Sequence, residues 1–142
     1  MFKKILIALD HSKADETLLP RVKELARLTR AEILLFHVSH GWAARWQKDL
    51  DLSDSQEIKE DRAYLEEVER GLRADGFRVT SRHSAGEPAD EILKTARAES
   101  CDLIAMTTHG HRLLSDLIHG TTITKVRHEA EIPIFLVKAV RD

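Results

Sequence analysis

The chain has 142 residues, 42% of them hydrophobic and 32% charged, which suits a single folded domain of residues 1–142 and excludes disordered, collagen-like and low-complexity chains. Its 22 basic side chains are balanced by 24 acidic ones, and a net charge of −2 supplies no field that would draw in nucleic acid or an anionic membrane surface.

The elements alternate along the chain. Lys3–Leu9 (KKILIAL) is almost continuously apolar after its lysines, as expected of a parallel strand covered on both faces. It ends at Asp10-His11-Ser12, where Ser12 is placed to cap a helix. Leu18, Leu19, Val22, Leu25, Ala26 and Leu28 give that helix one apolar face through Arg30. Pro20 inside the pattern predicts a kink or an irregular first turn. Ala31–His40 is a second strand. Gly41–Ser53 is a long connector that holds both tryptophans, Trp42 and Trp46, at helical spacing. Asp54–Ala74 reads as a charged helix with Ile58, Tyr64, Leu65, Val68 and Leu72 on its apolar stripe, stopped by Gly76.

Phe77–Ser84 alternates polar and apolar residues and predicts a less buried outer strand. Ala85-Gly86-Glu87-Pro88 is a turn leading into a helix over Ala89–Ser100. Asp102–Thr107 is a buried strand, and His109–Gly120 leads to a helix expected over Thr121–Ala130. Residues 132–137 close the chain as a strand. Strands alternating with helices over short connections predict an α/β fold: one doubly wound, mostly parallel five-stranded sheet with helices on both faces.

One cysteine, Cys101, cannot form an internal disulfide. There is no asparagine to glycosylate, no run of 18 apolar residues and no signal-like opening, so a cytoplasmic location with no membrane partner is expected.

Such sheets bind ligands beyond the carboxyl ends of their strands, where the strand order reverses. Asp10, Val38 and the segment Met106-Thr107-Thr108-His109-Gly110 fall there. Nine residues later, Gly120-Thr121 reads as a helix start whose free amides suit an anion, with the Thr121 hydroxyl as an added donor or helix cap. By themselves these residues equally suit turns and caps. No GxxxxGK[ST] is present, and no GxGxxG follows the first strand. His109, His111 and His119 are read as hydrogen-bonding residues rather than metal ligands. The run Gln56–Arg73 is read as a solvated helix face.

The opening KKILIALDHS, LLFHV in the second strand, AGEPADEIL after the third, and DLIAMTTHG with HGTTITKVRHEAEIPIFLV at the end resemble the universal stress protein family over essentially the whole chain. The family's nucleotide-binding motif, G-x2-G-x9-G-[ST], falls on Thr107, Gly110, Gly120 and Thr121, so that Thr107 replaces a glycine. The resemblance implies a flavodoxin-like or adenine-nucleotide α-hydrolase-like sheet and binding of ATP, with Mg²⁺, or of AMP or another adenylate. Ala8 and Val38 would flank adenine, Asp10 would accept from ribose or base, and Met106 and Thr107 would run beside them. Gly110, Gly120, Thr121 and Thr122 would hold the phosphates. It also implies a homodimer through the C-terminal strand 132–137.

The function this implies is that of a nucleotide-responsive regulator in stress response, with at most slow ATP hydrolysis. The alternative is a dimeric protein-interaction module that has lost nucleotide binding. A β-branched side chain at position 107, crowding the crevice, would cost on the order of 1–3 kcal/mol.

Overall fold

The computed structural model describes residues 1–40, 52–108 and 113–139. Along the chain run β1 (Lys4–Ala8), α1 (Ala14–Thr29), β2 (Glu32–His40), α2 (Leu52–Ala74), β3 (Val79–Gly86), α3 (Pro88–Ala98), β4 (Leu103–Thr108), α4 (Leu113–Glu129) and β5 (Ile134–Lys138). The five strands form one sheet in the order β3-β2-β1-β4-β5, and every pairing is parallel. The doubly wound α/β architecture expected from the alternation is therefore present, with a sheet that is wholly rather than mostly parallel.

Burial follows the sequence patterns. Ile5, Leu6 and Ile7 in central β1 are all 0% exposed, because side chains on both faces of a middle strand are covered. One face packs Ile5, Ile7, Ile33, Leu35 and Leu103 against Leu18 and Val22 of α1 and Leu65 and Leu72 of α2. The other packs Leu6, Leu34, Phe36, Ile104 and Met106 against Ile92 of α3 and Ile123 and Val126 of α4. Outer β3 is less buried, as its sequence predicts: Val79 is covered and every later position is half-buried or exposed.

Asp102, just before β4, accepts hydrogen bonds from the backbone amides of Lys3 and Lys4 at 2.8 and 3.0 Å. The start of β1 is thereby tied to a residue almost a hundred positions away. Glu87 caps α3 through the amides of Ala89 and Asp90, with Pro88 in the first turn, where its missing N–H costs nothing.

Three local expectations change. The residue at the N-cap of α1 is Lys13, which makes no side-chain cap bond, while the Ser12 hydroxyl accepts from the Ala14 amide at 3.2 Å. Helix α1 runs unbroken through Pro20, which is exposed, as is Glu16, whose carbonyl loses its helical donor there and faces water. The largest change is in α4, which begins at Leu113, not Thr121. Leu113, Leu114, Asp116, Leu117 and Ile118 tolerate the helix, and one internal glycine, costing about 1 kcal/mol, does not stop it. Gly120 and Thr121 consequently lie inside α4, so their amides belong to the helical ladder and Thr121 is not an N-cap. The connector residues 41–51, including Trp42 and Trp46, lie outside the described residues.

Candidate functional site

The order of the sheet reverses between β1 and β4: the chain winds outward to β2 and β3, then returns to the other side of β1. A cavity of about 320 Å³ opens at this point, beyond the carboxyl ends of β1, β2 and β4. Side-chain alternation gives it two kinds of wall. On the α3/α4 side, Ala8, Phe36, Val38 and Met106 from the strand ends meet Ile92 and Ile123 in an apolar slot. At the other end, Asp10, His11, His37, Ser39, Glu57 and Asp61 supply a polar wall.

Six of the residues named from the sequence line this cavity together: Ala8, Asp10, Val38, Met106, Thr107 and Thr122. The Thr107 side chain is 6% exposed and faces the site, the position where the motif has no side chain at all. Thr121 is exposed on α4 and is not part of the lining. Gly110 lies outside the described residues, as do His109, His111 and Arg112. The helix start expected at Gly120-Thr121 is not found there, because α4 already runs through both positions. Lys125 of α4 pairs with Asp90 at 2.6 Å and Glu87 at 3.7 Å across α3 and α4. The Asp90 bond raises its pKa.

Apart from Asp10, the polar wall is the part that the sequence reading missed. Asp61 of α2 is 5% exposed; its Oδ1 lies 2.6 Å from His11 Nδ1, and its Oδ2 accepts from the Ser39 hydroxyl at 3.0 Å and lies 3.3 Å from His37 Nε2. Ser39 Oγ is also 2.8 Å from His83 Nε2. Burial, and then the neighbouring His37, hold the His83 pKa below its ordinary value, so this ring stays neutral more readily than a free histidine. The His11 ring stacks on Tyr64 at 4.2 Å between centroids. Tyr64 Oη donates to Asp15 at 2.7 Å, and the amides of Asp10 and His11 donate to the same carboxylate at 2.8 Å each.

Asp15, 1% exposed, therefore holds the loop after β1 in place. His11 itself adopts φ +58°, a left-handed conformation that this clamp sustains. The missed signal was positional. Asp61 falls on the same helical stripe as Ile58, Leu65, Val68 and Leu72, so it points inward with them. His37 and Ser39 follow Ile33 and Leu35 at a spacing of two, on the same face of β2.

Chemically, the arrangement combines a flat apolar slot with hydrogen-bonding groups at one end, which suits a heteroaromatic ring bearing a polar substituent. Among the described residues no group of three or more His, Cys, Asp or Glu is arranged to hold a metal ion. Cys101 is buried at the opposite end of β4, and burial raises its thiol pKa to about 11, so it carries little of the thiolate that redox chemistry requires. No helix among the described residues is long and apolar enough to cross a membrane.

Comparison with known proteins places these features in a family. The universal stress protein family profile matches residues 1–138. Universal stress protein MJ0577 of Methanocaldococcus jannaschii is 28% identical, over 97% of this chain and 96% of its own length. The solved structure of MJ0577 superposes with a TM-score of 0.83, covering 100% of this chain and 99% of that one. A universal stress protein from Archaeoglobus fulgidus in complex with dAMP matches with a TM-score of 0.71 at 21% identity, over 96% and 98% of the two chains. Another, in complex with cAMP, matches with a TM-score of 0.70 at 16% identity, over 96% and 97%. At those two identities the likeness is one of fold.

Proposed function

The chain belongs to the universal stress protein family, and from that premise we propose that it binds an adenine nucleotide in the β1/β4 cavity and acts as a nucleotide-responsive regulator rather than a fast enzyme. The observation that carries this reading is the convergence of six sequence-named residues on one cavity at the switch point. Adenine would lie in the slot between Ala8, Val38 and Met106, with the ribose toward Asp10 and Thr107. Proteins of the same fold hold dAMP and cAMP, which supports an adenylate as the ligand class. ATP with Mg²⁺, AMP and other adenylates all fall within it.

Calorimetric titration with AMP and with ATP plus Mg²⁺ tests the reading. At least one should bind the wild type, and Val38→Trp, which fills the slot, should weaken that binding by about thirtyfold or more. Equal affinity in both proteins would place the ligand elsewhere.

The rival reading is an interaction module that holds no nucleotide. It is favoured by the buried Thr107 side chain and by the position of Gly120 and Thr121 inside a helix rather than at its start. Nucleotide released on heat denaturation of freshly purified protein discriminates the two: released adenylate supports the first reading, and its absence together with a silent titration supports the second.

For either role we propose a homodimer through the last strand. Among the described residues β5 pairs only with β4, and Leu136 on it is 37% exposed, so an unpaired edge with apolar side chains faces outward. A second copy would pair with that edge about a two-fold axis. Light scattering at micromolar concentration should return twice the chain mass; a monomer mass would refute the pairing.

A further inference from the structure

Resting on the adenylate reading above, we infer that Asp61 is the positioning residue of the polar wall: it fixes which edge of the His11 ring the ligand meets, and so acts on binding through His11. Both residues line the cavity. Different neighbours hold different degrees of freedom of His11. The Asp15 carboxylate accepts from the His11 amide at 2.8 Å and holds the backbone. Tyr64 stacks on the ring, with centroids 4.2 Å and planes 18° apart, and holds the ring plane. Neither sets the orientation within that plane. A half-turn about the Cβ–Cγ bond returns an imidazole to the same plane with its nitrogens and carbons exchanged, and this torsion is broad and two-fold by nature. Among the described residues, the 2.6 Å contact of Asp61 Oδ1 with His11 Nδ1 is what separates the two orientations. After a half-turn Oδ1 would face a ring carbon and the bond would be lost. The argument holds whichever atom carries the proton, since one proton bridges the pair in either case.

Helix α2 supplies both the stack and the bond, because Asp61 and Tyr64 stand three positions apart on one of its faces. The carboxylate is itself braced on its other oxygen. Ser39 donates to Oδ2 at 3.0 Å, His37 Nε2 lies 3.3 Å from it, and Ser39 Oγ is 2.8 Å from His83 Nε2, so β2 and β3 both hold Asp61 in place. With 35% of its side chain exposed against 11% for His37, His11 is the ring on this carboxylate that a ligand reaches.

A double-mutant cycle on the whole chain, read by calorimetry with AMP and with ATP plus Mg²⁺, tests this. His11→Ala and Asp61→Ala should each weaken binding by about tenfold, and the double variant should bind within about twofold of His11→Ala alone. Leu72→Ala, a core change on α2 outside the lining, should lower the urea midpoint yet keep affinity within about twofold of wild type. Long-range ¹H–¹⁵N spectra of the wild type need no substitution at Asp61: His11 Nδ1 should show the signature of a hydrogen-bonded nitrogen with and without AMP. Additive losses of about a hundredfold in the double variant would overturn the inference. So would wild-type affinity in Asp61→Ala, a solvent-averaged Nδ1, or an equal loss of affinity in Leu72→Ala, which would assign the effect to helix stability. If neither ligand binds the wild type, the adenylate reading itself fails and the role of Asp61 falls with it; a binding wild type with an additive cycle removes only the latter.

Discussion

Asp15→Ala is expected to destabilise the protein by about 3–5 kcal/mol, seen as a lower urea midpoint at an unchanged slope. The carboxylate accepts from the Asp10 amide, the His11 amide and the Tyr64 hydroxyl, all at 2.7–2.8 Å, and is 1% exposed. Alanine leaves all three donors without this acceptor at a site that water reaches poorly. Asparagine keeps one acceptor oxygen but turns an NH₂ toward the remaining donors, so Asp15→Asn should lose roughly half as much.

The pH dependence has a definite sign. Burial is the largest influence on Asp15 and raises its pKa above the ordinary carboxylate value, against the lowering from the Asp10 amide, Tyr64 and the His11 amide. A group with a raised folded pKa stabilises most below its unfolded pKa, and that share is lost as pH rises through the folded value. The stability gap between wild type and Asp15→Ala should therefore widen on acidification toward pH 4. A gap that narrows there would mean that the hydrogen bonds outweigh burial. Because the same clamp positions Asp10 and His11, the alanine variant should also bind adenylate more weakly.

Phe36→Ala is the second large effect. Phe36 is 1% exposed and stands in β2 between the sheet and the α3/α4 layer, with its edge forming part of the cavity lining. Truncation removes the ring's contacts and leaves a void that packed strands cannot close, at a cost of about 3–5 kcal/mol. In a chain of this size that corresponds to a fall in Tm on the order of 10–20 °C by scanning calorimetry. A fall of only 1–2 °C would show that neighbouring side chains collapse into the space.

How much of this was legible in the sequence differs by element. The strand and helix order, the central position of KILIA and the exposure of outer β3 follow from apolar periodicity, because burial on two faces or on one leaves different patterns. The start of α4 did not follow: Gly120 reads as a helix boundary only if neighbouring preferences are ignored, and the preceding LLSDLIH segment outweighs one glycine. Likewise Asp61 sits in a run of charge that looks solvated. Its inward direction shows only when it is placed on the stripe with Ile58, Leu65 and Val68. The apolar half of the cavity could be named from strand ends alone. Of the polar half only Asp10 could, because the rest depends on α2 packing against β2 and β3, a tertiary arrangement that local spacing does not encode.

The tether between Asp102 and the first strand has a consequence for how this chain is made. β1 finds β2 early, within the first forty residues, but its other edge stays bare until β4 has been synthesised. At ribosomal speeds of roughly 5–20 residues per second, about seventy further residues take some 3–14 s. For that interval the central strand of the sheet is half-finished, and the nascent chain must shelter it from its neighbours before the sheet can close.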